Sequence, residues 1–157
     1  MILKTEKQEE YELLDSGNGE KLERYGQCVL RRPDPEALWE KSKDSKIWEK
    51  ADLKFVRNGI KTKWIIKEGI SKNWEIKFGD FNFSIRPTSF KHTGLFPEQL
   101  PNWQWIEEII KNEELIINNE KQNRKISVLN LFAYTGGATL ACAKAGAEVC
   151  HVDGSKT

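Results

Sequence analysis

The stretch Val128-Leu129-Asn130-Leu131-Phe132-Ala133-Tyr134-Thr135-Gly136-Gly137-Ala138 decides how this 157-residue chain is read. With Ile126 it opens as a nearly continuous apolar run, the pattern expected of a strand buried on both faces of a parallel sheet. Two adjacent glycines end the run. Ala138 to Ala145 is then small, helix-favouring and closed by Gly146 at a C-cap position. Glu148 to Val152 reads as a second buried strand, and it ends in Asp153. Strand, glycine turn, helix, strand is the opening of a doubly wound α/β fold.

A turn that passes directly from a strand into a helix brings backbone N–H groups and the helix N-terminus close to whatever binds there. Glycines remove the Cβ that would block the approach. Asp153 follows Gly136 by 17 residues, at the end of the next strand, where a carboxylate can accept hydrogen bonds from both hydroxyls of a ribose. A nucleoside-containing ligand is expected. No Gly-Lys-Ser/Thr element occurs, which disfavours a nucleoside triphosphate. The G-x-G-x-x-G spacing that admits a pyrophosphate is also missing, so NAD and FAD fit poorly. A ligand without phosphate, resting against Phe132 and Tyr134, suits the loop better, and S-adenosylmethionine is such a ligand. The alternative is an ordinary α/β crossover whose glycines serve only close packing.

Upstream, the chain reads as strands and turns. Tyr11 to Leu14 is a strand, Asp15 to Gly19 a turn cluster, and the region from Leu22 to Leu30 a second strand. Residues 33–50 read as a loop with a short helix. Asn58-Gly59 predicts a two-residue hairpin turn pairing Phe55 with Thr62 and Leu53 with Trp64. Gly79-Asp80 predicts another, with Phe78 opposite Phe81, Ile76 opposite Phe83 and Trp74 opposite Ile85. That register makes one face fully apolar, so most of the six tryptophans are expected in the core rather than on a base-stacking platform. Around Pro87 the pattern changes: Asn102 is placed to cap a helix carrying Trp103, Ile106 and Ile110 on one face, and residues 118–125 read as a connecting loop.

Lys plus Arg number 25 against 24 Asp plus Glu, so whole-molecule charge does not advertise a nucleic-acid partner and any such contact needs a local patch. Arg24, Arg31 and Arg32, with Lys41, Lys43 and Lys46, form one basic group that could meet phosphate, although a solvated face explains such charges more often than not. No secretory signal or membrane-span pattern is visible, and a cytoplasmic protein is expected. Cys28, Cys142 and Cys150 show no C-x-x-C pair, which predicts free, mostly buried thiols and no zinc site. Neither His92 nor His151 has a second ligand or nucleophile at a diagnostic spacing, and no metal is expected.

The run Asn130 to Gly137 resembles motif I of the bacterial 23S rRNA cytosine-C5 methyltransferases, and Val152-Asp153-Gly154-Ser155-Lys156 resembles their second cofactor motif. His92-Thr93-Gly94-Leu95-Phe96-Pro97-Glu98-Gln99 is similar to the segment that enters their catalytic domain. The opening, Tyr11 to Gly17 with Lys21 to Gly26, looks like a less characterised branch of the same group.

The resemblance implies an α/β chain: a β-rich N-terminal domain over residues 1–88, then the N-terminal part of a Rossmann-like methyltransferase domain over residues 89–157, truncated. It implies S-adenosyl-L-methionine as cofactor and ribosomal RNA as substrate. Asn130, Leu131, Phe132, Ala133, Tyr134, Thr135, Gly136 and Gly137 would line the methionine and adenosine portions. Asp153 would hold the ribose, Ser155 would face the cofactor from the second motif, and Gln99 would help close the site. The sequence departs from the pattern at Asn130, where many methyltransferases carry an acid, and it holds neither the Asn-Pro-Pro-type loop nor the Cys that attacks the base. Cys142 and Cys150 do not match that position. The chain by itself is therefore expected to be inactive, with a non-catalytic RNA-binding module and an NAD- or FAD-linked oxidoreductase as the alternatives.

Overall fold

Alternating apolar residues and positive-φ glycines set the architecture of the first compact unit, Glu6–Leu95. The computed structural model describes residues 4–119 and 124–155, so Lys156 of the second motif and residues 120–123 of the expected loop lie outside the described residues. Strands β1 (Tyr11–Gly17), β2 (Glu20–Tyr25) and β3 (Cys28–Pro33) form an antiparallel meander. The second and third of these correspond to the single strand expected from Leu22 to Leu30. Gly26, at φ 59°, turns the chain back and divides them. Asp15, Ser16 and Gly17, expected in a turn, belong to β1, and the turn itself is Asn18-Gly19.

The short helix α1 (Ser45–Glu49), capped by the Asp44 carboxylate accepting from Lys46 N–H, carries Trp48 into the sheet. There it packs with Leu22 and Ala51, flanked by Leu14 and Val29. Strands β4 (Leu53–Asn58) and β5 (Lys61–Ile66) complete a five-stranded sheet in the order β1-β2-β3-β4-β5, joined by a parallel β3–β4 contact. The β4–β5 register differs from expectation by two residues: Phe55 faces Trp64 and Leu53 faces Ile66. A type I′ turn on Asn58-Gly59 needs positive φ at both positions, yet only Gly59 adopts it, at 61°. Asn58 therefore stays in the strand and the turn moves to Gly59-Ile60. Because the slip is an even number, each side chain keeps its face.

The second hairpin, β6 (Trp74–Phe78) and β7 (Phe81–Ile85), pairs as the alternation predicts. Its inner residues Ile76, Phe78, Phe83 and Ile85 are buried, each contributing about 1.5–3 kcal/mol by leaving water. Tyr11 meets both Tyr25 and Phe78 edge-on, with ring centroids 5.0 and 5.6 Å apart. Within this aromatic layer Glu23 and Arg32 form a buried ion pair, to which the hydroxyl of Tyr11 donates at 3.0 Å. Residues 89–95, grouped by sequence with the later domain, pack in this unit, tied back by Arg86 N–H to Thr93 O and Thr88 N–H to His92 O. The tryptophans divide: Trp48 and Trp103 are buried, Trp39 and Trp105 exposed, the other two half-buried. Trp39 lies outside because its indole donates to Ser16 O from the sheet rim.

The other unit takes in the chain from Phe96 onward together with Lys4 and Thr5, and contains a 3-10 turn (Pro97–Gln99), helix α2 (Leu100–Asn119), strand β8 (Ser127–Leu131), helix α3 (Gly137–Lys144) and strand β9 (Glu148–Val152). Helix α2 begins two residues before Asn102, because the proline-initiated 3-10 turn runs straight into it. Asn102 thus sits inside the helix and donates from Nδ2 to Gln99 Oε1 instead of capping. The same helix continues through Asn119, two residues into the stretch 118–125 expected as loop.

Strands β8 and β9 are parallel, pairing from Ser127 with Glu148 to Leu131 with Val152. Ile110, Cys142 and Ala147 form the core beneath them, with Ile106, Val128 and Val149 packed against it. The expectation of a strand buried on both faces is corrected here. Leu129 and Leu131 are 61% and 54% exposed, since among the described residues the helices cover only one side of this sheet. Cys150 is likewise exposed, whereas Cys28 and Cys142 are buried and their thiols pushed up by that burial. No helix among the described residues is long and apolar enough to cross a membrane.

Candidate functional site

Strand β8 delivers the chain into a loop whose backbone is unusual. Phe132, Tyr134 and Gly136 have φ of 56°, 51° and 92°. For two aromatic residues the left-handed region costs about 1–2 kcal/mol each, and such strain persists only where surrounding contacts over-determine it. The contacts are visible. Ala133 N–H donates to Val152 O at 3.1 Å, Gly136 N–H to Ala133 O at 2.9 Å, and Leu140 N–H to Gly136 O at 2.9 Å, which starts helix α3.

Asp153, at the end of β9, fixes the loop from the other side. Its Oδ2 accepts from Tyr134 N–H and its Oδ1 from Ser155 N–H, both at 2.7 Å. Those two backbone donors, Ser155 first, hold its carboxyl below the usual carboxylate range. The group is solvent-exposed and negative, and each oxygen keeps a further lone pair for an incoming hydroxyl donor. Ser155 enters this arrangement through its backbone N–H.

The two glycines do different jobs. A Cβ on Gly137 would fall 2.2 Å from Cζ2 of Trp103, so this position is glycine because the α3 N-terminus abuts the indole of α2. A Cβ on Gly136 would come no nearer than 3.6 Å to its closest neighbour, His151 Cε1, an ordinary contact, and there the requirement is conformational. Packing alone therefore explains Gly137 but not Gly136.

Asn130 Nδ2 donates to Thr139 Oγ1 at 2.9 Å, and the same oxygen lies 2.8 Å from His151 Nδ1. Asn130 and His151 are direct partners across β8 and β9, so their side chains share the face beneath the glycine turn. Sequence reading gave His151 and Thr139 no place here. Parallel pairing of the two strands, with the helix N-terminus over one face, was the signal that joins them.

Of the other expected positions, Phe132 is 92% exposed, Leu131 and Thr135 are exposed, and Ala133 is buried. The Tyr134 ring packs against Phe96 at 4.8 Å between centroids, which brings the segment leading to Gln99 beside the loop. Gln99 itself is committed through Oε1 to Asn102. The basic group on the first unit is largely neutralised: Arg24 pairs with Glu12, Arg31 and Lys41 with Glu20, and Arg32 with Glu23. Among the described residues no three metal-ligating side chains gather.

The site is thus a strained strand-to-helix loop, an exposed aromatic, and an acid set at the end of the neighbouring strand. Comparison with known proteins gives no matching family model and no matching curated protein. Among solved structures, a SAM-dependent methyltransferase from Agrobacterium tumefaciens aligns with 40% identity and a TM-score of 0.80, covering 94% of this chain and 44% of that one. A protein from Streptococcus mutans assigned as a SAM-dependent methyltransferase aligns with a TM-score of 0.57 at 18% identity, covering 94% and 39%, and supports the fold alone. The chain therefore has SAM-dependent methyltransferases as its structural neighbours over nearly all of its length, and it spans less than half the length of each of the two.

Proposed function

We propose that this chain is the cofactor-binding portion of a class I S-adenosylmethionine-dependent methyltransferase, a β-rich domain followed by the start of a Rossmann-like domain, whose parent acts on a base of ribosomal RNA in the cytoplasm, cytosine C5 being favoured. The observation that carries it is the Asp153 carboxylate, held by Tyr134 and Ser155 N–H groups at the mouth of the positive-φ loop.

The residues present fit the cofactor. Asp153 offers two anchored acceptor oxygens for a ribose diol, and the backbone pins them in place. Phe132, almost wholly exposed, offers an apolar face beside the loop. Asn130 is held by Thr139, which leaves its carbonyl oxygen as acceptor for an ammonium. S-adenosylmethionine, when bound, supplies a methyl group made electrophilic by its sulfonium. Catalysis in the parent would consist mainly of aligning acceptor, methyl carbon and departing sulfur. For a C5 acceptor, a Cys adduct on the base would first be needed, and neither Cys142, within α3, nor Cys150, within β9, matches the nucleophile position of the family it resembles.

Two assays test this reading. Ultraviolet cross-linking of radiolabelled S-adenosylmethionine should place label on peptides spanning 128–137 and 148–155, and label confined to the first unit would contradict it. Tritium transfer to unmodified ribosomal RNA should yield no incorporation with this chain alone. Label in a single nucleotide would show that the missing loop and nucleophile are not required.

A further inference from the structure

One charge-unbalanced surface among the described residues is a hairpin that the cofactor reading leaves unused. From Leu53 to Lys67 the chain carries five cations, Lys54, Arg57, Lys61, Lys63 and Lys67, and no carboxylate. One face of the β4–β5 hairpin is closed: Leu53 and Phe55 are buried, Trp64 packs edge-on against Phe55 and donates to Thr88 O, and Thr62 donates to Ser89 O. The other face is open. Cross-strand pairing sets Lys54 beside Ile65, Val56 beside Lys63 and Asn58 beside Lys61, so these six side chains share it.

Three lysines thus stand around an apolar floor of Val56 and Ile65, with a shallow depression among Val56, Asn58, Lys61, Thr62 and Lys63. No carboxylate among the described residues lies within ion-pair distance of Lys54, Lys61 or Lys63, whereas Lys67 is engaged by Asp52 at 3.6 Å. This contrasts with the arginines of β2 and β3, which are matched by Glu12, Glu20 and Glu23. Lys61 and Lys63 are two residues apart on one strand, hence about 6.8 Å, a spacing on the scale of neighbouring phosphates along a single strand. At the tip, Ile60 is 97% exposed, an apolar side chain placed where an unpaired base could rest.

We infer that the open face of the β4–β5 hairpin binds the phosphate backbone of single-stranded or looped RNA, Lys54, Lys61 and Lys63 each meeting a phosphate. The choice of RNA as polyanion rests on the proposed methyltransferase reading, and the face would hold the substrate strand by backbone charge rather than by sequence. Lysines on an edge strand also guard against edge-to-edge pairing. The absence of a balancing carboxylate among the described residues, together with the apolar floor and tip, favours a polyanionic partner.

The test is fluorescence anisotropy of a labelled RNA stem-loop with the full 157-residue chain across a salt series. A Lys54→Gln, Lys61→Gln, Lys63→Gln variant should bind about tenfold or more weakly at 0.1 M salt, and its log affinity against log salt should flatten by about 2. A control carrying Lys43→Gln, Lys46→Gln and Lys72→Gln should match the wild type. Unchanged RNA affinity in the hairpin variant, with or without new self-association, would overturn the proposal and leave the lysines as edge guards. Polyglutamate of equal charge competing as well as RNA would also overturn it. Cofactor affinity measured on the same proteins separates the two readings: it should be equal in wild type and hairpin variant, and its absence in both would refute the methyltransferase reading while leaving the RNA result to stand.

Discussion

Gly137→Ala adds one methyl group at the place where helix α3 meets helix α2. The new Cβ would lie 2.2, 2.7 and 2.8 Å from Cζ2, Cη2 and Cε2 of Trp103. Carbon atoms sit best at about 3.5–4.0 Å, so the ring would have to retreat by about 1.3 Å. It has little room to do so, being 6% exposed. Overpacking of this kind costs about 1–3 kcal/mol. Alanine in a helix returns about 0.5–1 kcal/mol relative to glycine, and Gly137 has no positive φ to oppose it. The net expectation is a loss of about 1–2 kcal/mol. Urea unfolding followed by tryptophan fluorescence measures it, and a cycle with Trp103→Phe gives the decisive comparison. The smaller ring should relieve the clash, so the double variant should be more stable than the sum of the single effects by about 1 kcal/mol. Gly136→Ala serves as contrast: its cost of about 1–2 kcal/mol comes from a φ of 92° and should not be relieved by Trp103→Phe. Strict additivity at Gly137, or no loss at all, would refute the packing argument.

Asp15→Ala should destabilise the first unit by about 1–3 kcal/mol, because Trp48 Nε1–H, Ser42 Oγ–H and Lys43 N–H lose their acceptor. Burial alone would raise the Asp15 carboxyl, yet the hydrogen bonds from Ser42, Lys43 and Trp48 draw it down to about 2. Its stabilisation is therefore complete above the unfolded value of about 3.9 and lost as pH falls toward about 2, so the acid limb of a stability–pH curve should flatten in the variant. Glu23→Gln should cost about 3–5 kcal/mol by leaving the Arg32 guanidinium buried without its counter-charge, and joint replacement of both by apolar residues should recover most of the loss in melting temperature. Limited proteolysis should leave residues 6–95 as the longer-lived fragment, since the later unit bares Leu129, Leu131 and Phe132 beside a two-stranded sheet; preferential survival of residues 96–155 would contradict this.

Where one residue type has one conformational solution, the chain was readable from its letters. Gly79-Asp80 between two alternating runs fixed the β6–β7 register, and Gly146 closed α3. Where two solutions compete, it was not. Asn58-Gly59 and Gly59-Ile60 both satisfy a two-residue turn, and tertiary pairing chose the latter. Gly26, between two strand-like runs, could not be told from a strand glycine by its letter alone, and its φ of 59° marks the turn. Burial was the least legible quantity. The apolar run from Val128 to Phe132 speaks of what a strand prefers, whereas exposure depends on which elements cover it. In the candidate site, the glycine turn and Asp153 were visible as spaced residues. The mutual support of Asn130, Thr139 and His151 needed the strand pairing, and the wedge of Trp103 against Gly137 needed three-dimensional proximity between residues 34 apart in sequence.

Isothermal titration of S-adenosylmethionine into the 157-residue chain tests the central claim most directly, with NAD as the comparison ligand and Asp153→Ala as the comparison protein. Saturable binding of S-adenosylmethionine is predicted, weakened about tenfold or more when the carboxylate that bridges Tyr134 and Ser155 is removed. Equal affinity in both proteins, or tighter binding of NAD than of S-adenosylmethionine, would contradict the assignment of this loop and acid to that cofactor.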